Sequence, residues 1–204
     1  MREGELPNVL THGFGVAASV AAAAILIVFA SLGGNPAEIV GVSVFGATLI
    51  LLYLASTLYH AARSDVARAR LKVFDHAAIY FLIAGTYTPF TIGALGGGWG
   101  WSLFGVIWGL ALAGAVFKIF AAGRFRLVST IFYVAMGWLV VIAAGPLVRH
   151  IDATVLAWLL AGGIAYTVGT PFYHTRRFRH AHAVWHGFVL VGSACHAVAV
   201  GLQL

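Results

Sequence analysis

Seven stretches of about twenty or more apolar residues run through this chain, joined by connections too short to fold by themselves. In hydrocarbon no backbone N–H or C=O can be left unpaired, so each such stretch is expected as a helix, which satisfies its own backbone. The predicted spans are Val9–Leu32, Ile39–Ala62, Val73–Leu95, Trp99–Ala121, Leu127–Val148, Ala153–Tyr173 and Ala181–Leu202. Their separators are Gly33–Glu38, the basic run Arg63–Lys72, Gly96–Gly98, Ala122–Arg126, Arg149–Asp152 and His174–His180. Nothing remains for a second folded unit. The expected fold is therefore an all-α integral membrane bundle of seven transmembrane helices, one domain over residues 1–204.

Composition agrees. Of the 204 residues 61% are hydrophobic and only 9% charged, against about 25% charged in a soluble domain whose surface water must wet. The net charge of +6 would suggest nucleic acid in a soluble protein. Here the basic residues stand in short clusters between apolar stretches, which marks loops at a membrane face, and no nucleic-acid partner is expected. One cysteine, Cys195, can build neither a disulfide framework nor a thiolate cluster. The first stretch has no small-residue cleavage site and reads as a retained helix. No repeat suggests a transporter of inverted halves.

Counting Lys and Arg by side gives the expected orientation. Arg2, Arg63, Arg68, Arg70, Lys72, Lys118, Arg124, Arg126, Arg176, Arg177 and Arg179 fall on one side, eleven of the twelve, and Arg149 alone on the other. Positive charge stays inside, which predicts a cytoplasmic N-terminus and an extracytoplasmic C-terminus, the reverse of G-protein-coupled receptors.

Ionisable groups within a span are costly and tend to mark function. The second stretch ends in Ser56-Thr57-Leu58-Tyr59-His60, the third opens with Phe74-Asp75-His76, and the seventh opens with His182-Ala183-Val184-Trp185-His186. By loop position His60, Asp75, His182 and His186 share one depth. His182 and His186, four apart, project from one helix face about 6 Å apart along the axis, as do Ser56 and His60. Two imidazoles so spaced and a third from another helix can form three corners of a zinc tetrahedron. A histidine at a helix end also sits comfortably among headgroups or hydrogen-bonds a neighbour, and each one taken singly has that reading. A Ser56–His60–Asp75 nucleophile leaves the histidine pair unused and lacks an oxyanion-hole loop. His76 points about 100° away from Asp75 and is not expected as a ligand. His196, about 15 Å beyond His186 along the helix, lies too far for the same ion and is expected to line a cavity or pair with another helix. His150, His174 and His180 read as loop or interface residues. Asn8 and His12 open the first stretch. Pro89 in Thr86-Tyr87-Thr88-Pro89 should kink its helix, with threonine hydroxyls satisfying the freed carbonyls.

Asn8-(x)₃-His12-Gly13, Ser56-(x)₃-His60, Asp75-His76 with Ala84-Gly85-Thr86-Tyr87-Thr88-Pro89-Phe90, and His182-(x)₃-His186 with His196 together resemble the hemolysin III family, the bacterial branch of the progestin and adipoQ receptor family. The match runs in order over essentially the whole chain. The resemblance implies seven helices with a cytoplasmic N-terminus, in a bacterial inner membrane. It implies a zinc ion held by His60, His182 and His186, with Asp75 and Ser56 beside the water. The wider superfamily includes alkaline ceramidases. The soluble N-terminal extension of the animal receptors has no counterpart here, so their hormone signalling is not carried over.

The resulting expectation is a zinc-dependent lipid amidase or esterase, with zinc as cofactor and membrane lipids as substrate or ligand. Asp75 would serve as acid–base group and Ser56 would orient the water or the carbonyl. Its rivals are a non-catalytic regulator of membrane fluidity with structural zinc, and a lytic membrane protein.

Overall fold

The computed structural model describes residues 4–121, 124–175, 177 and 179–204. Arg2 and Arg176, two members of the charge count, lie outside the described residues. The described chain is helical with no strand: α1 (Leu6–Gly33), α2 (Pro36–Ala61), α3 (Asp65–Thr88) running on as a π-helix (Pro89–Leu95), α4 (Gly97–Ala121), α5 (Arg126–Gly137), a 3₁₀ segment (Leu139–Ala143), α6 (Ala144–His150), α7 (Ala153–His174) and α8 (Ala181–Gln203). Grouped by continuity these make seven spans long and apolar enough to cross a membrane, the fifth built from α5, the 3₁₀ segment and α6.

Local chemistry sets the boundaries. Asn35 caps α2 through Ala37 N–H at 3.0 Å with Pro36 at the first helical position. Ser64 caps α3 through Ala67 N–H at 3.2 Å, and Asp152 caps α7 through Thr154 N–H at 2.7 Å. Gly34, at φ 74°, closes α1 in the left-handed conformation that lacks a Cβ penalty.

Each of α1–α2, α2–α3, α3–α4 and α7–α8 packs as a neighbouring pair, α5 bridges α3 and α7, and α8 returns against α1, closing a ring that leaves α4 on its outside. Close approach depends on small residues, as usual where lipid supplies no drive for helices to associate. At Gly46 of α2 an added Cβ would stand 2.6 Å from the Ala23 Cβ of α1. The ring brings the last turn of α2, the early turns of α3 and the first turns of α8 to the same end of the bundle as the start of α1.

Two local expectations change. The fifth span is not one continuous helix over Leu127–Val148: it breaks at Trp138. The Tyr87 hydroxyl enters the break, donating to the carbonyls of Met136 and Gly137 at 2.9 Å each and accepting from Val140 N–H at 2.8 Å. Non-helical backbone is tolerated at that depth because a buried side chain satisfies it. At Pro89 the disruption takes the form of π winding, and the threonine hydroxyls bond Leu82, Ala84 and Tyr87 carbonyls rather than the Gly85 carbonyl that the proline deprives. The threonine rescue expected there is found at Pro171 in α7, where the Thr170 hydroxyl donates at 2.9 Å to the Thr167 carbonyl that lacks a helical donor.

Candidate metal centre

His60, on the last turn of α2, faces His182 and His186 on the first turns of α8. The ring centroids are 5.1 Å (His60–His182), 5.0 Å (His60–His186) and 4.7 Å (His182–His186) apart. One nitrogen from each ring lies within 4.8 Å of the other two. A tetrahedral ion with bonds of about 2.1 Å has an edge of about 3.4 Å, so small ring rotations suffice for one ion to reach all three.

The proton positions fit the same use. The His60 Nδ1 lies 2.6 Å from Glu5 Oε2, and Glu5 Oε1 accepts from the Arg68 guanidinium. Asn8 also donates to Glu5 Oε2 at 2.8 Å. Burial works against charge on Glu5, but hydrogen bonds from Asn8, His60 and Arg68 prevail and hold its carboxyl at about 2. The ionised carboxylate can only accept, so His60 donates to it from Nδ1, which leaves Nε2 as the nitrogen able to face an ion. That Nε2 is buried and meets no donor or acceptor. On His186, Nδ1 lies 3.2 Å from the Thr11 hydroxyl, whose own proton goes to the Pro7 carbonyl at 2.8 Å. Thr11 therefore accepts from Nδ1, and His186 too offers Nε2. Orienting a ligand imidazole through its far nitrogen is the usual arrangement behind a metal-bound histidine. The donor set of three neutral imidazoles suits zinc and other borderline divalent ions.

A fourth imidazole, His12, is buried on α1 and stacks on His186 with centroids 3.5 Å apart and planes 11° apart. A ligated ion lies in the plane of its imidazole, and rings stacked face to face do not share such an ion. As placed, His12 is therefore not one of the convergent imidazoles, and both its ring nitrogens are buried without a hydrogen-bond partner.

Asp75, on α3, lines the same chamber as the three histidines. Its carboxylate accepts from the buried Ser56 hydroxyl and lies 3.3 Å from His76 Nδ1. His76 does not diverge from Asp75 as its spacing suggests, but it stands outside the histidine cluster, with Nδ1 on the Lys72 carbonyl at 2.8 Å and Nε2 at 3.2 Å from the Tyr173 hydroxyl. His196 is also where expected, bonded through Nε2 to the Leu159 carbonyl of α7 at 3.2 Å and lining the chamber far from the triad. His174 reaches Thr130 at 3.0 Å, an interhelical contact, while His150 and His180 are exposed at helix ends.

The chamber holds about 1140 Å³. From His60, Asp75 and His182 it passes Tyr87 and Val140 to Leu103 and Leu147, near the opposite ends of their helices. Beyond the triad its walls are mostly apolar, which suits the acyl chain of an amphiphile.

A family model described as "Haemolysin-III related" matches residues 2–197. The chain belongs to the haemolysin-III family. It is 47% identical over 190 residues to the Hemolysin-3 homolog of Bacillus subtilis (strain 168), covering 93% of this chain and 89% of that protein. It is 45% identical over 190 residues to Hemolysin-3 of Bacillus cereus, covering 93% and 87%. The human Monocyte to macrophage differentiation factor is 26% identical over 203 residues, covering 95% and 81%. This haemolysin-III chain is thus a multi-pass bacterial membrane protein whose histidine cluster could hold a metal ion.

Proposed function

We propose that this haemolysin-III protein is a zinc-dependent hydrolase of lipid amide or ester bonds, working in membrane lipid homeostasis. The observation that carries the reading is one chamber lined together by three convergent imidazoles, a half-buried carboxylate and a long apolar wall. A structural metal alone needs the imidazoles, but gives no reason for a carboxylate and a lipid-sized space beside them. The same reading puts the N-terminal end, and the site with it, on the cytoplasmic side.

When bound by His60, His182 and His186, a zinc ion would supply Lewis-acid polarisation of a carbonyl and a lowered pKa for a water beside it. Glu5 and Thr11 hold the two imidazoles in the required tautomer. The Asp75 carboxylate accepts a proton from the attacking water as its oxygen joins the carbonyl carbon. It returns that proton to the nitrogen or oxygen of the leaving group as the C–N or C–O bond breaks, giving a fatty acid and an amine or alcohol. Ser56, bonded to Asp75, fixes the carboxylate's direction. The apolar wall seats the acyl chain and keeps bulk water from the acid–base group.

Asp75→Asn should retain metal and lose hydrolysis by about 10²–10⁴-fold, the usual worth of a positioned acid–base group. The test is fatty-acid release from ceramide, N-acyl lipid and phospholipid by purified, zinc-loaded protein. The proposal fails if wild type releases none, or if Asp75→Asn matches it.

A further inference from the structure

We infer that the chamber takes an anionic lipid whose headgroup carries a phosphate without a cationic group attached to it, held by Lys72 and Arg126 beside the triad. This rests on reading the chamber as a lipid site and not on whether hydrolysis occurs there.

The charged groups lining the chamber are Glu5, Asp75, Arg68, Lys72, Arg126 and Arg179. The acids are already matched: Glu5 by Arg68 and His60, Asp75 by Ser56 and His76. Among the described residues neither Lys72 nor Arg126 pairs with a carboxylate. Arg126 is held in place, donating through Nη2 to the Tyr173 carbonyl at 2.9 Å and lying over the Tyr173 ring at 4.7 Å. It also interacts with the Tyr173 hydroxyl, and among the described residues no carboxylate takes its other N–H groups. Tyr173 in turn packs on His182 at 5.8 Å, so Arg126 stands one side chain from the triad. Lys72 is one turn before His76, on the same wall as Asp75. Behind it the buried Lys118, bonded to Ser129, is near enough to Lys72 for their charges to repel.

The general excess of positive charge at a membrane face is met by exposed residues such as Arg63, Arg70 and Arg124. Lys72 and Arg126 differ: they are half-buried and on the chamber wall. Cations away from bulk water attract an anion far more strongly than loop residues do. A planar guanidinium fork and an ammonium lining one chamber suit the several oxygens of a phosphate better than a single carboxylate. With an apolar tail running down the chamber, such a headgroup would leave the lipid's carbonyl region near the triad.

Native mass spectrometry of the full-length protein in detergent tests this. The probes are a palmitoyl glycerol phosphate, its phosphocholine analogue, palmitate and inorganic phosphate. Wild type should retain the glycerol phosphate lipid at least about tenfold better than the phosphocholine lipid or palmitate, the worth of a charge-assisted hydrogen bond or more. Lys72→Gln with Arg126→Gln should abolish that preference, and Arg63→Gln with Arg70→Gln should keep it. Equal retention of the phosphocholine lipid or palmitate overturns the inference. So does equal loss in the two double variants, which would make the effect one of general surface charge. Displacement of the lipid by equimolar inorganic phosphate would assign the site to free anions and overturn the lipid source. If the Lys72/Arg126 variant does not fold, the wild-type ranking of probes decides alone. Absence of hydrolysis with this ranking intact would sink the proposed reaction and leave the inference standing.

Discussion

Between the Glu5 carboxylate and the unpartnered Nε2 of His60 stands a single imidazole ring, so charge at one end sets basicity at the other. Glu5→Gln keeps a possible acceptor but removes the charge that binds both His60 Nδ1–H and Arg68. The expected result is metal affinity lower by about 10–100-fold, read by competition with a chelator of known affinity, at unchanged helix content. Unchanged affinity would mean that His60 is oriented by other groups. The three histidines could be read from the sequence because helix spacing and loop proximity fix their face and depth. Glu5 could not. It lies just before the first apolar stretch, and only the approach of the start of α1 to the end of α2 brings it to His60. The one sequence signal was Asn8, three residues on and therefore on the same side of the first turn. Thr11 was hidden for the same reason, since its partner His186 is 175 residues away.

The seven helical spans follow from hydropathy alone, because the hydrocarbon thickness leaves little choice of length. What hydropathy does not encode is where a span unwinds. The apolar run Leu127–Val148 gave no sign of the break at Trp138, because the side chain that satisfies it, Tyr87, comes from α3. Prolines were visible but not their consequences: at Pro171 a neighbouring threonine supplies the missing donor, while at Pro89 the helix changes its winding instead. Tyr87→Phe tests the account of the break. Removing the hydroxyl takes a partner from Val140 N–H and from the two carbonyls, at a cost of about 1–3 kcal/mol for each group left buried and unsatisfied. Thermal unfolding in detergent should shift down measurably, while bound metal is unchanged because the triad lies on α2 and α8. An unshifted transition would show that water or another group serves the break.

At the scale of the whole molecule, the packing of α8 against α1 brings the starts of the first and last helices together at one site, and a bound ion would tie α2 to α8 there. Since metal binding is linked to folding, losing the ion should also loosen the ring. Elemental analysis of purified protein, wild type beside His60→Ala, His182→Ala, His186→Ala and His196→Ala, tests this most directly. The expected result is one zinc per chain in wild type and in His196→Ala. Each of the other three variants should show a sharp loss, with a lower unfolding temperature. Full zinc occupancy in all three triad variants would contradict the account, and loss in His196→Ala equal to theirs would move the centre elsewhere in the chamber.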